Sequence, residues 1–170
     1  MADDRGSRLA LRSRQATPSL IALVLILVSQ LPLGITQVGL VMPPLALMAV
    51  FFWGIYRPDL LPLAAAFAIG LFQDLLTGGP PGLFAAVYVA VRAVMAQQRR
   101  SFVGRAFAIE WFGFGVVALT VTFASWAVTS AYFGRLLQPG LFLTQGLLSI
   151  ALYPVLNWTM VRLRRAVSHI

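Results

Sequence analysis

The chain has 170 residues, of which 59% are hydrophobic and only 11% are charged, and its mean hydropathy is +0.85. Soluble domains are about 45–50% apolar and about 25% charged, so this composition excludes an ordinary soluble domain and indicates an integral membrane protein. The net charge of +8 comes from an excess of arginine, and because the arginines lie at the ends of apolar blocks and form no basic stripe, we expect no nucleic-acid binding.

Six apolar blocks have lengths close to that of a membrane-spanning helix. They cover, within a few residues, 18–34, 38–55, 60–76, 81–97, 107–130 and 139–161. The sequence therefore predicts an all-α bundle of six transmembrane helices over residues 18–161, with tails at 1–17 and 162–170. No small-x-small cleavage site follows the first block, which favours an uncleaved helix over a signal peptide. A re-entrant pair formed by the first two blocks is the less simple alternative.

The distribution of arginine predicts the orientation of these spans. With the N-terminus in the cytoplasm, the inner segments carry eleven arginines and the outer loops carry only Arg135. Both termini are therefore predicted to be cytoplasmic. Aromatic residues at the inner end of the second block are expected to anchor it at the membrane interface: Phe51, Phe52, Trp53 and Tyr56.

Three charged residues fall inside the apolar blocks, where a charge at mid-depth costs about 2.5–3.5 kcal/mol on insertion scales. Arg92 and Glu110 lie at similar distances from the cytoplasmic ends of the fourth and fifth blocks. We expect these two side chains to form an ion pair. The alternative is that Arg92 reaches the inner interface alone.

The third charge, Asp74, lies near the outer end of the third block and is followed by the turn "LLTGGPPG". Its carboxylate could accept hydrogen bonds from the amides of this turn or from the start of the fourth block, where the helix dipole favours a negative charge. Arg135 in the next outer loop is the alternative partner. This structural role is preferred over a contact with a partner or ligand, or a proton site.

Two further features concern packing and turns. Ala66 and Gly70 form a small-xxx-small pair, as do Ala86 and Ala90, and such faces let membrane helices approach closely. They are expected to pack within the fold or against another membrane protein. In the inner turn "YRPDLLP", Arg57 and Asp59 are expected to hold the turn, with a cytoplasmic contact as the alternative.

No pattern typical of an enzyme occurs in the sequence. It has no G-x-S-x-G, Walker or H-E-x-x-H motif, no cysteine, and a single histidine, His169, next to the C-terminus. We therefore expect no catalytic activity, no cofactor and no metal.

The most distinctive stretch is "YRPDLLPLAAAFAIGLFQDLLTGGPPG", residues 56–82. It resembles the MreD family of bacterial rod shape-determining membrane proteins. This family often has leucine before the last glycine of the turn, where this chain has Pro81. The matching residues are Arg57-Pro58, Phe67, Gly70-Leu71, Asp74-Leu75-Leu76, and the turn that contains Gly78, Gly79, Pro81 and Gly82.

The resemblance implies a non-enzymatic, multi-pass protein of the bacterial inner membrane that takes part in cell elongation and peptidoglycan synthesis. Its implied partners are the MreC scaffold, the MreB filament, and a RodA-type glycosyltransferase with its penicillin-binding transpeptidase. The candidate surface for the membrane helix of MreC consists of the small residues of the third and fourth blocks, with Asp74 and the 77–82 turn at its outer edge.

The family is also distantly similar to the substrate-binding membrane subunits of energy-coupling-factor vitamin transporters, which are six-helix bundles. Such a subunit is the alternative function. Those subunits commonly carry an alanine-xxx-alanine docking surface in the first span, and "SLIALVLILVSQ" has none. The resemblance therefore favours a scaffold that lies in the lipid bilayer.

Overall fold

The structure is a computed structural model, and it describes Val24 and residues 44–168, with side chains described through Arg162. Residues 44–168 form five α-helices joined by short turns. They are α1 (Leu45–Tyr56), α2 (Leu63–Thr77), α3 (Leu83–Phe102), α4 (Phe107–Tyr132) and α5 (Pro139–Ser168). The predicted blocks three to six overlap α2 to α5, and the predicted block 38–55 overlaps α1 from Leu45 onward, while its residues 38–43 lie outside the described residues. The described part of the chain is therefore all-helical as predicted. The predicted first span, 18–34, and the predicted tail, 1–17, lie outside the continuous described range.

Two of the described helices have the length and apolar composition needed to cross a membrane. They are α4, with 26 residues, and the 24-residue stretch Pro139–Arg162 of α5. The helices α1 and α2 are also apolar but have 12 and 15 residues, fewer than the roughly 20 residues that a full crossing needs. The helix α2 begins at Leu63, later than the predicted block, because Pro62 occupies its N-cap with extended backbone.

The helix α1 lies at the centre of the bundle and contacts α3, α4 and α5. The ring of Phe51 makes edge-to-face contacts with Phe114 at 5.2 Å and with Tyr153 at 5.7 Å, and these two rings stack on each other at 4.2 Å. The anchoring role predicted for Phe51, Phe52 and Trp53 is wrong, because rings that anchor a helix face the lipid interface, and all three side chains are completely buried in this core. An apolar run on a short helix fits a central position as well as an interfacial one.

The helices α2 and α4 expose many apolar side chains and bury some of their polar ones. On α2, one row of exposed large apolar residues recurs every four positions, and we call it the α2 outer face: Leu63, Phe67, Leu71 and Leu75. The opposite side of α2 buries Gln73 and Asp74. A similar exposed apolar row on α4 consists of Phe112, Val116, Leu119 and Phe123. Because monomeric soluble proteins rarely expose such large apolar patches, this arrangement favours a position in lipid.

Candidate functional site

Asp74 lies in the last turn of α2 and binds the beginning of α3. Its side chain is only 4% exposed. Oδ1 accepts a hydrogen bond from the amide of Phe84 at 2.9 Å, and Oδ2 accepts from the amides of Gly82 at 3.0 Å and Ala85 at 3.2 Å. The carboxylate therefore caps α3 from a neighbouring helix.

The start of α3 needs this carboxylate because a helix leaves its first amide donors without intrahelical partners. The N-cap residue is Gly82, which has no side chain to accept from them. The amide of Leu83 donates to the carbonyl of Pro80 at 3.3 Å, and the helical ladder begins with Ala86 donating to Gly82 at 2.9 Å. The remaining amides all donate to Asp74, whose charge also faces the positive end of the helix dipole.

Gly70, one turn before Asp74, permits this approach. A Cβ atom at Gly70 would lie 2.4 Å from the carbonyl oxygen of Phe84 and 2.5 Å from Cα of Ala85. Ala66, a further turn back, is also completely buried. Small residues on this side of α2 therefore bring the backbone of α3 within reach of the carboxylate.

The turn between α2 and α3 depends on two glycines with left-handed backbone. Gly78 has φ +64° and donates its amide to the carbonyl of Asp74 at 3.2 Å, while Gly82 has φ +90°. Gly79 is half-buried, whereas Pro81 is exposed. The motif therefore has two sides: Gly70, Asp74 and Gly82 build the helix contact, while Phe67 and Pro81 lie on the surface.

Asp74 thus makes the local hydrogen bonds that the turn sequence predicts. Arg135, the alternative partner, lies in the turn between α4 and α5. No ion pair among residues 44–162 joins Arg135 to Asp74. The candidate partner surface needs a correction as well, because Ala66 and Gly70 are buried against α3, whereas Ala86 and Ala90 are exposed.

The predicted ion pair between Arg92 and Glu110 is wrong. Nε of Arg92 donates to the carbonyl of Leu61 at 2.7 Å, and Nη2 donates to the carbonyl of Pro58. Arg92 therefore fastens the turn between α1 and α2 to the middle of α3, with two backbone carbonyls as its partners. In the same turn, Nε of Arg57 lies 3.4 Å from Oδ2 of Asp59, and both side chains are largely exposed.

Glu110 instead joins α4 to α1 and α5. Its side chain is 5% exposed. Oε2 accepts from the hydroxyl of Tyr56 at 2.8 Å, and Oε1 accepts from the hydroxyl of Tyr153 at 2.5 Å. The carboxylate points towards these two helices, while Arg92 points towards the α1–α2 turn.

Sequence reasoning predicted the partners of Asp74 but missed those of the other buried polar groups. Besides the two tyrosines that bind Glu110, the hydroxyl of Tyr88 donates to Oε1 of Gln73 at 2.6 Å in the interface between α2 and α3. One signal was present, since Gln73 is a polar residue inside an apolar block and directly precedes Asp74. Its partner Tyr88 lies 15 residues away in the sequence and on another helix, and local sequence patterns do not predict such a pairing.

The charges inside the bundle thus act on the protein itself. Asp74 binds three amides, Arg92 binds two carbonyls, and Glu110 binds two tyrosine hydroxyls. Within the described ranges, no group of three or more histidine, cysteine, aspartate or glutamate side chains could hold a metal ion. The arrangement fastens helices together and leaves an apolar outer surface for lipid or for another helix.

Comparison with known proteins identifies the family. The family model for the rod shape-determining protein MreD matches residues 13–162, which is most of the chain. The chain therefore belongs to the MreD family, and the resemblance of residues 56–82 is confirmed over a much longer stretch. No curated protein and no solved structure matches the chain. The family indicates a role in determining rod shape.

Proposed function

We propose that this member of the MreD family is a non-enzymatic scaffold of the cell-elongation complex that makes peptidoglycan. It spans the bacterial inner membrane several times and binds an MreC-like protein through its helical bundle. An MreB filament and a RodA/penicillin-binding protein pair are its further partners in this proposal. The observation that carries the proposal is the family match over residues 13–162.

The buried charged residues form hydrogen bonds within the chain, which supports a scaffold over a solute-binding subunit. Ligand sites place a few convergent polar groups around a cavity. In this bundle the hydrogen bonds of Asp74, Arg92 and Glu110 go to partners within the chain. These three charged groups inside the described helices are therefore already hydrogen-bonded within the protein, which supports a scaffold over a subunit that binds a polar solute.

The α2 outer face is the proposed contact for the partner's membrane helix. Because Ala66 and Gly70 are used inside the bundle, the exposed side of α2 replaces them in this proposal. Phe67 belongs to the family-like motif but is 50% exposed, so its ring is available to a neighbour. The face leads to the exposed residues Thr77 and Pro81 of the outer turn, where the partner's chain would leave the membrane.

Copurification from native membranes in mild detergent tests this proposal, with wild type compared with Phe67→Ala and Phe123→Ala at equal expression. Phe123 is the matched control, because it is also a largely exposed phenylalanine (68%) and lies in the apolar row of α4. We expect wild type and Phe123→Ala to recover an MreC-like protein. We expect Phe67→Ala to recover about ten-fold less, the effect of a moderate interface anchor.

The alternatives give different results. Recovery of ATPase subunits in place of an MreC-like protein would contradict the scaffold and favour the transporter subunit. If Phe67→Ala and Phe123→Ala recovered equal amounts of an MreC-like protein, the scaffold function would still be supported, but the α2 outer face would not be its contact.

A further inference from the structure

An apolar groove of about 320 Å³ lies between α3 and α4. Its wall on α3 includes Val87, Val91 and Met95, and its wall on α4 includes Val116, Val121 and Ala124. The lining exposes no polar surface, because the hydroxyl of Thr120 donates to the carbonyl of Val116 at 2.8 Å. The groove therefore suits a hydrocarbon chain and offers nothing to a polar solute.

The two helices that form the groove pack tightly beyond one of its ends, and the side of the groove is open. Towards the α3–α4 turn, the ring of Phe102 packs over Gly113, where a Cβ atom would lie 2.4 Å from the ring. Along the rest of the groove, Val94 and Val116 are about half exposed, so an occupant can enter from the bilayer. From Val87 to Met95 the groove is about 12 Å long.

The groove admits an occupant along its open side and offers it only apolar contacts. One acyl chain of a lipid meets this requirement, because it is apolar and can follow the space between two helices.

Three arginines lie in the chain between the two walls of the groove, near the α3–α4 turn. Arg99 and Arg100 are in the last turn of α3, and Arg105 is in the turn to α4. All three are exposed, and none takes part in an ion pair with another residue of the described range. By the arginine distribution this turn faces the cytoplasm, where anionic lipids attract juxtamembrane cations and basic pockets between helices bind anionic headgroups.

The distance along α3 from the arginines to the groove matches the distance from the headgroup to the acyl chain of a lipid in the inner leaflet. Along α3, Arg99 lies about 6 Å beyond Met95 and about 18 Å beyond Val87. Half of a typical hydrocarbon core is about 15 Å thick. An acyl chain that extends from a headgroup beside Arg99 therefore passes through the depth that the groove covers.

We propose that the α3–α4 groove binds one acyl chain of an anionic phospholipid of the inner leaflet, whose headgroup phosphate contacts Arg99, Arg100 and Arg105. The site is separate from the α2 outer face and does not depend on the scaffold role. It would give the protein a preference for anionic membrane at its cytoplasmic side.

Native mass spectrometry of the full chain in detergent tests the headgroup preference. Phosphatidylglycerol and phosphatidylcholine with the same acyl chains are added in turn. We expect wild type to prefer phosphatidylglycerol by about five-fold for each arginine that contacts the phosphate. The triple variant Arg99→Gln, Arg100→Gln, Arg105→Gln should lose this preference. Arg135→Gln, an exposed arginine of the opposite side, should keep it.

A second pair of variants tests the groove itself. Ala90 lines the groove and is exposed, so Ala90→Phe should fill the groove and lower the retention of both lipids. Ala86→Phe, one turn away on α3 and also exposed, is the matched control and should retain them. Thermal unfolding of each variant verifies that the fold is intact.

Several results would overturn the proposal. These are equal binding of the two lipids, a preference that survives the triple variant, and displacement of phosphatidylglycerol by glycerol phosphate, which would indicate a site for a free anion. If Ala90→Phe removed a copurifying membrane protein and left lipid retention unchanged, the groove would be a protein-docking surface.

Discussion

Gly70 and Asp74 lie one turn apart on the same side of α2, and both contact the backbone of Ala85 in the first turn of α3. The absent side chain of Gly70 leaves room for that backbone, with Cα of Ala85 only 2.5 Å from the position of a Cβ atom. The carboxylate of Asp74 accepts the amide of the same residue at 3.2 Å. Because the two residues are four positions apart, the glycine that lets α3 approach α2 and the carboxylate that caps α3 lie on the same side of α2.

Gly70→Ala should destabilise the protein by about 1–3 kcal/mol, because the new methyl group meets backbone that cannot move without α3. Thermal unfolding in detergent measures the effect. Gly79→Ala is the control, since the nearest atom to a Cβ there is Oγ1 of Thr77 at 3.9 Å. Equal stability of the two variants would contradict the close contact between α2 and α3.

Asp74→Ala should cost about 3 kcal/mol or more, because it leaves the amides of Gly82, Phe84 and Ala85 without acceptors in a largely buried position. Asp74→Asn should cost less, since its amide oxygen still accepts. The free energy of unfolding is the measurement. Asp59→Asn changes an exposed carboxylate and should cost about 0.5 kcal/mol or less. A similar cost for both aspartates would contradict the capping role.

Arg92→Met should loosen the turn between α1 and α2, because the carbonyls of Pro58 and Leu61 lose their donors. Hydrogen exchange of the amides in 57–62 should then become faster. Arg92→Lys should restore only part of the protection, since a lysine lacks the planar fork that reaches two carbonyls. The exposed Arg57→Gln is the control. If Arg92→Met left the hydrogen exchange of these amides unchanged, the turn would be stable without the hydrogen bonds of Arg92.

Tyr153→Phe should cost about 1.5–3 kcal/mol, the range for a hydrogen bond to a charged group, because Oε1 of Glu110 loses its donor. A double-mutant cycle that combines Tyr153→Phe with Glu110→Gln should show a coupling energy of about 0.5–3 kcal/mol. Thermal or denaturant unfolding measures both. Tyr132→Phe removes an exposed hydroxyl and serves as the control. Additive effects of Tyr153→Phe and Glu110→Gln would contradict their pairing.

From the sequence alone, the all-helical class, the helical blocks from α1 to α5 and the family could be predicted. These properties depend on composition, on the length of apolar runs and on a contiguous motif. The local contacts of Asp74 belong with them. The acid, the glycine-proline turn and the helix start that it caps all lie within 74–85, so chain connectivity brings them together.

Only the tertiary structure decided the partners of Arg92 and Glu110, the burial of Phe51, and the use of Ala66 inside the bundle. The rise of 1.5 Å per residue predicts the height of a side chain along its helix, and Arg92 and Glu110 were matched by height. Their partners depend also on the rotation of each helix about its axis and on which helix occupies the centre. That choice follows from how all the helices pack together, because each buried face must be filled by its neighbours.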